Sequence, residues 1–201
     1  PNIVILGHAK CGGIGALVYV GAAFLWPQPV AVLLSMAATI HATGAFHEDG
    51  FADMCDGFGG GMTAARVLEI MKDSRIGAYG AIGMVCLLAL KCTTLAYLPP
   101  LQAVAALFVA HPLSRLFATC LIWRMDYARL EGKAKPLAQS MSGGEFAIAA
   151  LTALAVIAAV LASGALRLAA IGAGTLLAAI ATLWLSRLFA RRIGGYTGDC
   201  L

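Results

Sequence analysis

The sequence predicts an all-α, polytopic integral membrane protein: about six transmembrane helices in three hairpins, with an amphipathic segment on one side of the bilayer. Three observations point there. Of 201 residues, 61% are hydrophobic and only 12% charged, and mean hydropathy is +0.86; soluble domains carry about 25% charge and about 45–50% apolar residues. A globular core of this length could not hide so much apolar surface, so lipid is the expected solvent. Apolar stretches near spanning length recur along the chain. Long polar connections alternate with tight, nearly uncharged turns.

In order, the apolar stretches run from Gly12 to Trp26, Val30 to Phe46, Ile76 to Leu98, Leu101 to Trp123, Phe146 to Leu161 and Leu168 to Phe189. A helix needs roughly 20 residues to cross the hydrocarbon, and tilt or flanking residues accommodate departures from that length. Pro27-Gln28-Pro29, Pro99-Pro100 and Ser163-Gly164 close the short turns. His111-Pro112 and Arg115 interrupt the fourth stretch. The long connections, 47–75 and 124–145, fall on the same side as the residues after span six.

Of the 14 Lys and Arg, Arg167 lies at an opposite turn and Lys91 and Arg115 lie within spans; the other eleven lie on the polar-loop side. The positive-inside rule puts that side in the cytoplasm. All ten acids lie there too. The basic residues are scattered among acids and form no run interleaved with aromatics, which argues against a nucleic-acid partner. The six cysteines include no Cys-x-x-Cys pair and read as small hydrophobes rather than disulfides or zinc ligands. The chain starts at Pro1, so an N-terminal segment is expected to be missing. The whole of 1–201 reads as one transmembrane catalytic domain whose segments 41–80, 111–136 and 191–201 converge on the cytoplasmic face.

The segment His47-Glu48-Asp49-Gly50-Phe51-Ala52-Asp53-Met54-Cys55-Asp56-Gly57 sets four carboxylates directly after a span. In a helix Asp49, Asp53 and Asp56 lie within about 60° of one another. Three carboxylates on one stripe repel unless a cation sits among them, and hard oxygen ligands suit Mg²⁺; Glu48 stands about 100° off the stripe at the helical period. A capping or solvated role for the acids is the competing reading. Gly59 and Gly60, in the run after Gly57, could let a phosphate approach the backbone, or could form a hinge. Lys72 and Arg75 could neutralise phosphate oxygens or anchor the interface. Asp73 suits a catalytic base, a metal ligand or the cap of the third span. Arg115, a charge inside an apolar run, is expected to face a cavity or partner. Lys91 reads as a snorkelling or paired residue, and His41 as a hydrogen-bonded helix residue. Thr197-Gly198-Asp199 suits a backbone turn bearing one carboxylate.

Three separated segments together are specific. Gly44 to Gly57, Leu68-Glu69-Ile70-Met71-Lys72-Asp73-Ser74-Arg75-Ile76-Gly77 and Thr197-Gly198-Asp199 resemble the cobalamin synthase (adenosylcobinamide-GDP ribazoletransferase) family in order and spacing, over most of the chain. The resemblance implies a Mg²⁺-dependent enzyme of the inner membrane that joins α-ribazole, or its 5′-phosphate, to adenosylcobinamide-GDP and releases GMP. On that reading Asp49, Asp53, Asp56 and Glu48 bind metal. Lys72, Arg75, Arg115, Gly59, Gly60 and Thr197 bind substrate, and Asp73, His47 and Asp199 are the candidate bases. The residues before Gly12 depart from the family pattern, and the family continues with apolar sequence after Thr-Gly-Asp. The number of copies in an assembly is open. Two other readings compete: a CDP-alcohol phosphotransferase, whose Asp-Gly and Ala-Arg order this chain does not reproduce, and a divalent-cation transporter, which would carry acids inside its spans.

Overall fold

The computed structural model describes residues 2–128 and 141–201, with side chains from Cys11 onward. The helices are α1 (Asn2–Ala23), α2 (Gln28–Thr43), α3 (Phe46–Gly60), α4 (Ala64–Ile70), α5 (Ala78–Tyr97), α6 (Pro100–Arg124), α7 (Gly143–Ala162) and α8 (Leu168–Ile193), followed by a 3₁₀ turn, Gly198–Cys200. Among the described residues the only β-type pairing is an isolated bridge between Tyr127 and Tyr196. The end of the predicted segment 111–136, with Arg129, Lys133 and Lys135, lies outside them.

Four helices, α5 to α8, are long and apolar enough to cross a membrane. α2 and α3 would form a fifth span together but meet at 88°, and the described part of α1, Cys11–Ala23, is a shorter apolar helix. The chain is thus a multi-pass helical membrane protein. Its outward surface matches that solvent: Ile82, Val85 and Leu90 on α5 are each about two-thirds exposed, as are Leu151 on α7 and Leu177 on α8.

The second span ends earlier than the sequence predicts, at Thr43 rather than Phe46. Gly44 (φ 62°) and Ala45 (φ 58°) both occupy the left-handed region. Two consecutive residues there cannot continue a right-handed helix, so the chain turns sharply and the acidic segment becomes its own helix, α3. The fourth stretch needs no break: α6 runs through Pro112.

Short turns join consecutive spans as the sequence predicts, but the joined helices do not all pack on each other. α1 and α2 pack along each other, but α5 packs chiefly on α3 and α2, and α6 chiefly on α1 and α7. α8 packs on α6 and α4. The turns at Pro99 and Ser163 therefore join helices whose main partners lie elsewhere. In lipid, close approach comes from small side chains rather than from sequence adjacency, and one core shows it: Ala22, Ala31 and Ala103 pack with Tyr19, Val32, Met36, Leu95 and Leu107 across α1, α2, α5 and α6. Gln28 ties the ends of α2 and α5 by donating to the carbonyls of Leu95 and Leu98.

A second core lies on the polar-loop side. Val67 and Met71 of α4 pack with Leu121, Phe189 and Ile193, against Met54 and Phe58 of α3. The glycine run permits this approach. A Cβ at Gly57 would meet the Met71 side chain, one at Gly61 would meet Val67, and one at Gly59 would meet the Tyr79 ring. Arg192 of α8 donates to the carbonyls of Phe58 and Gly61, supplying donors to the frayed end of α3.

The tightest link is polar. Asp56 of α3 accepts from the Gly77 amide at 2.7 Å and the Gly80 amide at 2.8 Å, one oxygen to each. A Cβ at either glycine would collide with the carboxylate. Asp56 thus caps α5 from another helix, with charge complementing the helix N-terminus. Asp56→Ala is expected to lower stability by about 3 kcal/mol, read as an earlier unfolding midpoint in mixed detergent micelles, while Asp49→Ala at the exposed side of the same helix leaves it within about 0.5 kcal/mol of wild type.

Candidate active site

Two cavities flank α3. The first, of about 440 Å³, lies among α2, α3, α5, α6 and the 3₁₀ turn. Its charged and imidazole lining is His47 and Glu48 from α3, Lys91 from α5, His111 and Arg115 from α6, and Asp199 from the turn; Thr39, Thr43 and Phe51 complete much of the wall. The helical period explains the α3 contribution: residues 47, 48, 51 and 54 share one side of a helix.

Two of these side chains each carry a buried polar atom without a partner. Glu48 Oε2 and Arg115 Nε accept or donate no hydrogen bond among the described residues, and no salt bridge joins the two. Arg115 does donate through Nη1 to the Leu201 carbonyl at 3.3 Å. A buried unpaired polar atom is costly, so both point to a polar ligand in the space between them.

The turn carrying Asp199 is held firmly. The Tyr196 amide donates to the Asp126 carbonyl and the Ala128 amide to the Tyr196 carbonyl. Gly195 lies so close to the Asp126 carbonyl that no side chain fits there. Thr197 is fully buried, and its hydroxyl donates to Asp199 Oδ2 at 3.3 Å. At Gly50 a Cβ would lie 3.1 Å from Asp199 Cα, so α3 meets the turn backbone to backbone. Burial pushes the Tyr196 phenol above its ordinary value, with Tyr127 and Asp126 adding to the effect.

The second cavity, of about 550 Å³, lies between α3, α4 and the start of α5 and includes Asp56, Gly60, Arg66, Glu69, Asp73 and Arg75. Its charges are largely paired: Arg66 with Glu69 at 2.8 Å, and Arg75 with Asp73 at 2.6 Å. The Arg75 side chain donates to both Asp73 oxygens and its amide to Oδ1. These bonds, side chain first, hold the Asp73 carboxyl down to about 2. While the pair holds, Asp73 is a weak proton acceptor, and it does not cap α5, which Asp56 does.

The structure therefore divides the predicted residues. His47, Glu48, Arg115 and Asp199 come together at the first cavity, and Asp73, Arg75, Gly60 and Asp56 at the second. Asp49 is exposed, and neither it nor Asp53, Lys72, Gly59 or Thr197 lines either cavity. Gly59 faces the Tyr79 ring. The stripe of three aspartates is not a ready metal cage: among the described residues no three His, Cys, Asp or Glu side chains are grouped to hold an ion, and both oxygens of Asp56 are engaged by α5. Lys91 and His111 are residues the sequence reading did not place in the site. Their signal was present, as a cation and an imidazole inside apolar spans, but nothing in the sequence showed which way they face.

A multi-pass helical protein with a charged, partly buried cavity at the junction of an acidic interfacial helix and two spans is the frame of a membrane-embedded enzyme. The chain belongs to the cobalamin-5-phosphate synthase family, whose pattern matches residues 6–201. It is a transferase of cobalamin synthesis. It is 49% identical over 199 residues to the adenosylcobinamide-GDP ribazoletransferase of Ralstonia nicotianae, covering 94% of this chain and 73% of that one. The enzyme of the same name from Leptothrix cholodnii is 47% identical over 201 residues, covering 96% and 75%, and that of Shewanella amazonensis 44% over 200 residues, covering 94% and 73%. No solved structure matches the chain.

The Asp73–Arg75 pair has a definite acid signature. Its folded carboxyl titrates below the unfolded value of about 3.9, so its contribution is fully present above about pH 4 and is lost as pH falls toward 2. Carboxyl-labelled NMR should place the Asp73 midpoint near 2, and Arg75→Gln should return it toward about 3.9.

Proposed function

We propose that this chain is a Mg²⁺-dependent membrane transferase that joins adenosylcobinamide-GDP to α-ribazole, or its 5′-phosphate, and releases GMP on the cytoplasmic face of the bacterial inner membrane. The observation carrying this reading is that His47, Glu48, Arg115 and Asp199, from segments far apart in the chain, line one cavity. The names of the relatives supply the substrates, and the one-sided charge supplies the orientation.

The ribazole hydroxyl attacks the phosphorus of the diphosphate that bears the cobinamide. A new P–O bond forms, and the bond to the GMP oxygen breaks. Transfer of this kind depends mainly on holding the reactants in line and on charge set against the phosphoryl oxygens. Arg115 supplies a fixed cation with an uncommitted Nε. Asp199 or His47 receives the hydroxyl proton, and the backbone clamp from Asp126 and Ala128 keeps the turn carrying Asp199 in place.

Mg²⁺, if bound, would supply positive charge against the diphosphate. The residues fit such an ion only in its usual sparing mode, with one or two protein carboxylates and the remaining positions left to water and phosphate. Glu48, with its buried unpartnered oxygen in the cavity, would hold it. Asp49 and Asp53 stand one turn apart outside that cavity and would serve only an ion nearer the membrane surface. Glu48→Gln should cut GMP release at least about 100-fold and raise the Mg²⁺ concentration needed for half-maximal rate, with Asp49→Asn the milder change. The reverse order would move the ion to the aspartate stripe, and an unchanged Mg²⁺ response in both would remove the metal assignment.

A further inference from the structure

Lys91 stands about 20 Å along α5 from its Ala78 end, at about 1.5 Å per residue, well within a hydrocarbon core about 30 Å thick. A charge at that depth is costly unless it is matched. Among the described residues no ion pair or hydrogen bond engages its ammonium. It is half-buried rather than exposed like Leu90 beside it. It lines the first cavity together with Arg115, which stands about 14 Å along α6 from its Arg124 end.

Lys91 is also part of a boundary. A mostly apolar recess of about 420 Å³ lies between α5 and α6 and shares Leu87, Lys91, His111 and Ser114 with the first cavity. It is bounded by Leu90, which is 67% exposed on the lipid-facing side. The looseness of the α5–α6 pair, whose helices pack chiefly on other partners, leaves room for this recess. A cation at the neck between an apolar recess and a cavity that already holds an uncommitted guanidinium nitrogen suits a phosphate group. A lysine snorkelling to the far interface would instead extend along the outer surface.

We propose that Lys91 is a substrate-binding residue, which with Arg115 grips a phosphate of the nucleotide-diphosphate substrate at the inner wall of the cavity. This rests on the transferase reading above. The two cations approach from different helices, so they can contact separate oxygens of one diphosphate, and among the described residues neither is held in an ion pair that would compete with that anion. The same chemistry could be met by a phospholipid headgroup entering through the recess, and the test separates the two.

The full chain is reconstituted in phospholipid nanodiscs, and adenosylcobinamide-GDP binding is measured by calorimetry for wild type, Lys91→Met, Lys91→Arg and Arg115→Met. Loss of a charge-assisted contact predicts that Lys91→Met weakens binding at least about tenfold, that Lys91→Arg stays within about threefold, and that KM for α-ribazole is unchanged in both. Phosphorus co-purifying with the protein in detergent is assayed in parallel. Substrate binding by Lys91→Met equal to wild type overturns the proposal; if co-purifying phosphorus also falls in that variant, a lipid headgroup is the ligand. Weakened binding in Arg115→Met alone likewise overturns the role of Lys91 and leaves the transferase reading standing. Failure of wild type to bind adenosylcobinamide-GDP at all overturns that reading with it.

Discussion

Asp56 reaches from the middle of the acidic helix to the first free amides of α5, and its two hydrogen bonds fix the angle at which an interfacial helix meets a span. Much else follows from that junction. The glycines at 77 and 80 leave room for the carboxylate. The turn at Gly44 and Ala45 brings α3 off the end of α2 at 88°. With α3 held at one end by that turn and along its length by α5, one side of it is directed toward the spans. His47 and Glu48 are on that side. The aspartate that reads as a metal ligand is thus a structural fastener, which orients the helix whose Glu48 faces the cavity.

The same region is braced from below by contacts that lipid alone would not supply. Arg192 and the core built on Val67, Met71 and Phe189 join α3 and α4 to α8. The paired strand-like contact of residues 126–128 with Tyr196 secures the turn that carries Asp199. A reaction governed by positioning needs such rigidity, because misplacement by about 1 Å can cost about 100-fold in rate. The apolar faces of α5, α7 and α8 bury little against the rest of the described protein and contribute position within the bilayer rather than packing density.

Charge placement is the economy of this molecule. Paired charges lie at the outer cavity, where Asp73 and Arg75, and Arg66 and Glu69, satisfy each other in contact with water; exposed pairs of this kind add little stability. Uncommitted charges lie at the inner cavity, on Glu48, Lys91 and Arg115, where an unmatched ion is most costly and a matching ligand therefore counts for most.

Much was legible in the sequence. Composition and the spacing of apolar stretches determined a helical membrane protein, and the three separated motifs determined the family, because each of these depends only on residue type and order along the chain. The turn residues at Gly44 and Ala45 hid a helix boundary, since a left-handed alanine has no residue-level signal. Tertiary structure decided the rest. The helical period states that Asp49, Asp53 and Asp56 share a side of α3, but not what that side meets; packing turned Asp56 to the amides of α5 and Glu48 to the cavity. It also placed Lys91 and His111, polar residues inside apolar spans, on the wall of the cavity that Arg115 lines. Rotation of a helix about its axis is set by contacts between elements far apart in the chain, and local sequence carries no direct record of them.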